Sequence, residues 1–160
     1  MTFDNLTIFV KSTLYRCETT TPVFTRYKKL EFKNSELIIS NELICLIDGL
    51  LVERYTGCGL YSIFKDIMSG YTVNTTNEFK TEGGMNPDKN MDTGVFYGDG
   101  YTITLKTIDG KTEEYRGYVH DFANEGRPRY KLYFDCVYSS DGFEMNTNDE
   151  LSASFSIQII

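Results

Sequence analysis

Tryptophan is absent from this 160-residue chain, and histidine occurs once, at His120. One imidazole cannot complete a zinc set with partners as scattered as Cys17, Cys45, Cys58 and Cys136, which excludes a structural zinc centre. Those four cysteines form no CxxC pair. With no secretory leader in view, they are expected as reduced small hydrophobes. Asp4 and Asn5 stand where a leader would be basic, and Lys11 interrupts the apolar stretch, so synthesis in the cytoplasm is expected. Long apolar runs are missing too. The most apolar one, LICLIDGLLV at 43–52, is ten residues long and contains Asp48 and Gly49, too short and too broken for a membrane span. Positive charge is also scarce: 16 Lys and Arg against 23 Asp and Glu leave a net charge of −7. A field of that sign repels phosphate backbones, which argues against nucleic-acid and anionic-membrane binding. No repeat, low-complexity tract or linker divides the chain, so a single domain over 1–160 is expected.

Aromatic residues are abundant, with 12 Tyr and 11 Phe, and this tilts the expectation toward β-structure. Several segments alternate apolar and polar residues with the period of a strand: NLTIFVKSTLYR (5–16), PVFTRYKKLEF (22–32), YTITLKT (101–107), RYKLYFDCVY (129–138) and LSASFSIQII (151–160). Asp48–Gly49 and Asp109–Gly110 read as two-residue hairpin turns, because Asp-Gly supplies the positive φ angles of a type I′ turn, and Ser139–Gly142 reads as a further turn. GLYSIFKDIMSG (59–70) breaks the period. Leu60, Ile63, Phe64, Ile67 and Met68 fall at helical spacing, and Gly70 supplies a stop. The expected fold is mostly β. It is an antiparallel β-sandwich or barrel with one short amphipathic helix (about 60–69) and a long polar loop (about 80–100).

Catalytic and metal-binding constellations are thin. Cys58 lies between two glycines at the start of the expected helix, where a thiol pKa is lowered, and His120–Asp121 offers a base and an orienter. Adjacent strand residues point to opposite faces, however, so Asp121 is badly placed to orient His120. Asp88, Asn90 and Asp92 match the first three ligand positions of a calcium loop, and Asp99 falls at the twelfth, but Thr93 stands where glycine is required. Asn, Asp and Gly are also the ordinary residues of solvated loops. Glu113–Glu114 and Asp149–Glu150 are adjacent acids and read as solvated charge, and GDGYT (98–102) lacks the lysine of a phosphate loop. The basic spots Tyr27–Lys29 and Arg127–Arg129 read as surface charge. No catalytic set and no cofactor is expected.

The order of elements is more informative than these motifs. A strand at 50–55, the helix, a long loop, the hairpin YTITLKTIDGKTEEYRGYV (101–119) and the closing NDELSASFSIQII (148–160) together resemble bacteriophage tail tube proteins. The haemolysin-coregulated tube protein of type VI secretion shares that arrangement, and CETTTP (17–22) is similar to an early stretch in some members. The resemblance implies a structural subunit of a phage tail or tail-like injection machine, made in the bacterial cytoplasm and carried in the virion or tail-like particle. Its partner would be itself, as a hexameric ring, or another protein. Gly83, Gly84, Met85, Asn86, Pro87, Asp88, Asn90, Met91, Asp92 and Gly94 would form a flexible assembly loop reaching the next ring. Two other functions fit the composition. One is a small acidic binding protein, an immunity protein or a phage-encoded inhibitor of a host defence. The other is a calcium- or carbohydrate-binding β-sandwich module, motivated by the Asp88–Asn90–Asp92 spacing and the surplus of tyrosine.

Overall fold

The computed structural model describes residues 6–64, 68–84, 88–111, 114–121 and 129–160. Its strands are β1 (Leu6–Tyr15), β2 (Pro22–Lys33), β3 (Glu36–Cys45), β4 (Leu50–Phe64), β5 (Met68–Val73), β6 (Asp88–Lys89), β7 (Thr93–Gly98), β8 (Thr102–Asp109), β9 (Arg116–Asp121), β10 (Arg129–Met145) and β11 (Glu150–Ile159). They form a seven-stranded sheet in the order β1-β2-β3-β11-β8-β7-β5 and a four-stranded sheet in the order β4-β10-β9-β6. Every pairing between these strands is antiparallel, and neither sheet closes into a barrel.

The two sheets meet through alternate residues of the strands expected from their period. Tyr130, Leu132 and Phe134 of β10 and Val119 of β9 face Phe96, Leu105, Ala153 and Phe155 of the larger sheet. Tyr71, Phe96 and Tyr130 form an aromatic cluster with ring centroids 5.6–5.8 Å apart. Gly117 is small for a packing reason. A Cβ there would lie 2.7 Å from the Phe134 ring and 2.8 Å from the Met91 sulfur. On the far side of the larger sheet, β1 and β2 extend past the smaller one as a wing, and most of β1 is exposed.

The expected helix at 60–69 is not formed: residues 60–64 belong to β4 and 68–69 to β5, while 65–67 lie outside the described residues. A bulge explains the misleading period. Tyr130 pairs with Ile63 and Lys131 with Tyr61, so Ser62 is an extra residue. Such an insertion turns strand alternation into a spacing of three that imitates a helix stripe. The 80–100 segment is likewise no continuous loop, since β6 and β7 lie within it and Met91 is fully buried.

Asp48–Gly49 does adopt a turn, and the glycines of both Asp-Gly pairs have positive φ, 67° at Gly49 and 81° at Gly110. They make no hairpins, because each carries the chain from one sheet to the other: β3 to β4, and β8 to β9. Ser139–Gly142 connects no two strands either and forms an irregularity inside β10. Asp-Gly fixes the local φ, but the partner of the next strand follows from which sheet needs its apolar face. The tight hairpins are at Asn34–Ser35, between β2 and β3, and at Asp99–Gly100, between β7 and β8.

Candidate functional site

The outer face of the smaller sheet carries an unusual row of polar residues. Cross-strand register aligns Lys89 with Arg116, Arg116 with Asp135, and Asp135 with Thr56, across β6, β9, β10 and β4. Asp135 is fully buried although it lies on the face away from the core. Its Oδ1 accepts a hydrogen bond from Thr56 Oγ1 at 2.5 Å, while Oδ2 accepts from Arg116 Nε at 3.2 Å and from the Tyr118 hydroxyl at 3.3 Å. A buried carboxylate persists only with such compensation.

The guanidinium of Arg116 is held from the other side as well. It lies 3.6 Å from the centroid of the Tyr138 ring and 5.4 Å from that of Tyr118, which itself stacks on Tyr133 at 4.4 Å. A bulge makes this possible. Thr56 pairs with Asp135 and Tyr55 with Val137, leaving Cys136 as the extra residue, so Asp135 and Tyr138 share one face although they are three apart. Burial pushes the Tyr118 hydroxyl pKa upward, and the Asp135 charge adds to it; burial also raises Tyr133. Both phenols stay neutral donors well past physiological pH.

Beside this network opens a cavity of about 380 Å³ lined by Lys89, Asn90, Glu114, Tyr115, Arg116, Tyr138 and Ser140. Asn90 is set at its rim with φ 59°. Its amide N–H donates to the Tyr115 carbonyl at 3.0 Å, and its own carbonyl accepts from Asn74 Nδ2 at 3.2 Å. Lys111 lies over the Tyr115 ring at 4.7 Å and binds Asp92 Oδ2 at 2.7 Å, which raises the lysine pKa. A larger open concavity of about 760 Å³ lies on the polar face of the wing, near Phe9, Tyr27, Lys29 and Glu42. Its lysines rest over the wing's own rings, Lys11 over Tyr27 and Lys29 over Phe9.

The residues singled out from sequence are spread over several elements. Asp88 pairs with Gly117 in β6, Asp92 is taken by Lys111 and Thr93, and Met91 and Gly94 pack into the core of the same chain. Gly83 and Gly84 border a cavity near Tyr71, and Met85, Asn86 and Pro87 lie outside the described residues. Among the described residues no group of three His, Cys, Asp or Glu side chains converges to hold a metal. Cys58 stands across from Phe134 and His120 across from Lys131, three rungs apart on the ladder; the Cys58 side chain lies outside the described residues. No helix N-terminus exists there to activate its thiol.

Asp135, Arg116 and Tyr138 escaped the sequence reading. The available signal was an acid inside the otherwise apolar run YFDCVY, the pattern of a buried, partnered carboxylate.

No family model matches this chain, and no curated protein matches it. Among solved structures it is similar to a protein provisionally assigned as an aldose 1-epimerase from Escherichia coli K12. The TM-score is 0.48 and the identity 10%, over 100% of this chain and 66% of that one. The chain therefore spans just under two thirds of that protein's length, and a likeness of this size says nothing of activity or ligand. The tail-tube resemblance is overturned. The described residues of the segment that anchored the element order as a helix are strand, and the 101–119 segment is split between two sheets rather than folded into one hairpin. The phage-tail assignment falls with it. No helix among the described residues is long and apolar enough to cross a membrane.

Proposed function

We propose that the chain is a non-catalytic carbohydrate-binding module of β-sandwich type, taking a mono- or disaccharide in the Arg116 cavity. One observation carries the reading: Arg116 is locked between buried Asp135 and the Tyr138 ring at the edge of a cavity that also presents Tyr115. A sugar has an apolar C–H face and a rim of hydroxyls. Binding it takes aromatic rings for the face and fixed donors and acceptors for the rim. The cavity supplies both, with Asn90, Ser140, Glu114 and Lys89 beside the two tyrosines, and its volume is in the range of small-ligand sites. Asp135 fixes the guanidinium before any ligand arrives, so little ordering cost remains to be met on binding. Binding without catalysis is favoured because Asp135, the buried carboxylate of the network, is already held by three donors.

Calorimetric titration with a panel of neutral and uronic mono- and disaccharides tests the proposal. Saturable binding is expected, weakened about tenfold or more, roughly 1.4 kcal/mol, by Tyr115→Ala with the melting temperature unchanged. Absence of binding and of any thermal shift at millimolar sugar across the panel would overturn it.

A further inference from the structure

The larger sheet has two edges, and the structure treats them differently. At β5, Lys80 caps the edge: its N–H donates to the Tyr71 carbonyl, and the Tyr71 N–H donates to the Lys80 carbonyl, both at 2.8 Å. At β1 no strand lies outside among the described residues, and the edge is lightly guarded. The strand is ten residues long, contains no proline, carries one charge (Lys11), and keeps unbroken register with β2 from Leu6 to Leu14. Its side chains are open as well: Leu6 is 44% exposed, Ile8 42%, Phe9 74% and Val10 41%.

We propose that β1 is a dimerisation edge, at which two copies of this chain pair β1 with β1 antiparallel about a two-fold axis at Val10. In an antiparallel pair the outward N–H and C=O groups alternate along each strand, so a symmetric ladder must be centred on a residue. An axis at Lys11 would set two ammonium groups directly opposite each other, which is repulsive. An axis at Phe9 would use only residues 6–12. The axis at Val10 uses 6–14, the whole unbroken part of the strand.

That register places Phe9 of each copy opposite Lys11 of the other. It repeats, across the axis, the lysine-over-ring contacts that Lys29 makes with Phe9 and Lys11 with Tyr27 within one chain. On the other face, Ile8 meets Ser12, Leu6 meets Leu14 and Val10 meets itself, which joins the apolar stripes of the two wings. A nine-residue ladder is about 30 Å long, and with side chains on both faces it buries about 1,000 Å² in total, the lower range for a specific interface. Because the contact uses the same edge on both copies and β5 is capped, assembly closes at two and does not propagate.

Sedimentation or light scattering of the purified chain should give a dimer at micromolar concentration. The Ile8→Lys, Val10→Lys double variant should be monomeric, with unchanged circular dichroism and melting temperature. In a Cys17→Ser background, Val10→Cys should form an intermolecular disulfide on mild oxidation and Thr13→Cys should not, because only residue 10 meets its own copy. A wild-type chain that stays monomeric at about a hundred micromolar, or cross-links at residue 13 rather than 10, would overturn the proposal. So would a double variant that remains dimeric. Sugar titration of the monomeric variant separates this proposal from the carbohydrate reading, since the Arg116 cavity lies on the other sheet.

Discussion

Asp135 is the residue on which the outer face of the smaller sheet depends. Three donors from β4 and β9 converge on its two oxygens, and none is replaceable by water in a fully buried site. Asp135→Ala leaves half-buried Arg116 without its carboxylate and should lower stability by about 2–3 kcal/mol, measured by urea denaturation. Thr56→Val removes one donor and should cost about 1 kcal/mol by the same measurement. A second prediction concerns Tyr55, whose hydroxyl burial raises to a pKa of about 12 from an ordinary value near 10. The folded state therefore keeps the proton that the unfolded chain gives up. Stability from this group is complete below pH 10 and is lost as pH rises through 10 toward 12. Tyr55→Phe should flatten the alkaline limb of a pH–stability curve in that window. The tyrosine surplus was legible in the sequence; which tyrosines flank a carboxylate was not, because that follows from a bulge and cross-strand register.

At the scale of elements, strand identity was mostly readable and strand partnership was not. The alternating segments near both ends became β1, β2, β8, β10 and β11 because β-branched and aromatic residues suit a half-buried pleat. The helix failed because one extra residue, Ser62, broke the alternation, and period alone cannot tell a bulged strand from a helix turn. Turns show the same division. Asn34 and Ser35 both have positive φ, at 49° and 65°, in a two-residue hairpin better served by Asn-Gly. Ser35→Gly should stabilise the chain by about 0.5–1 kcal/mol in thermal or urea unfolding. Gly110 is the opposite case. Its φ is 81°, and a Cβ there would collide with the backbone carbonyl of Ser152. Gly110→Ala should therefore cost more than about 2 kcal/mol and loosen the crossing between sheets.

At the scale of the molecule, the closing strand ties the larger sheet together. β11 pairs with β3 on one side and β8 on the other, and it contributes Ala153 and Phe155 to the core. Ending the chain before Glu150 should therefore leave no cooperative unfolding transition by circular dichroism. β3 pairs with a strand about a hundred residues later in the chain, so loop closure comes before contact gain. Refolding should be slow, in the millisecond-to-second range, when followed by tyrosine fluorescence. The sequence by itself determined a β-rich chain of negative charge and the faces of its regular strands. Each of these depends on residues close together along the chain. Only the tertiary structure decided that the two Asp-Gly pairs lead from one sheet to the other, that Asp135 gathers Arg116, Tyr118 and Thr56, and that β1 has no strand outside it among the described residues. Those are set by pairings between distant strands, where one inserted residue reverses which face a side chain takes.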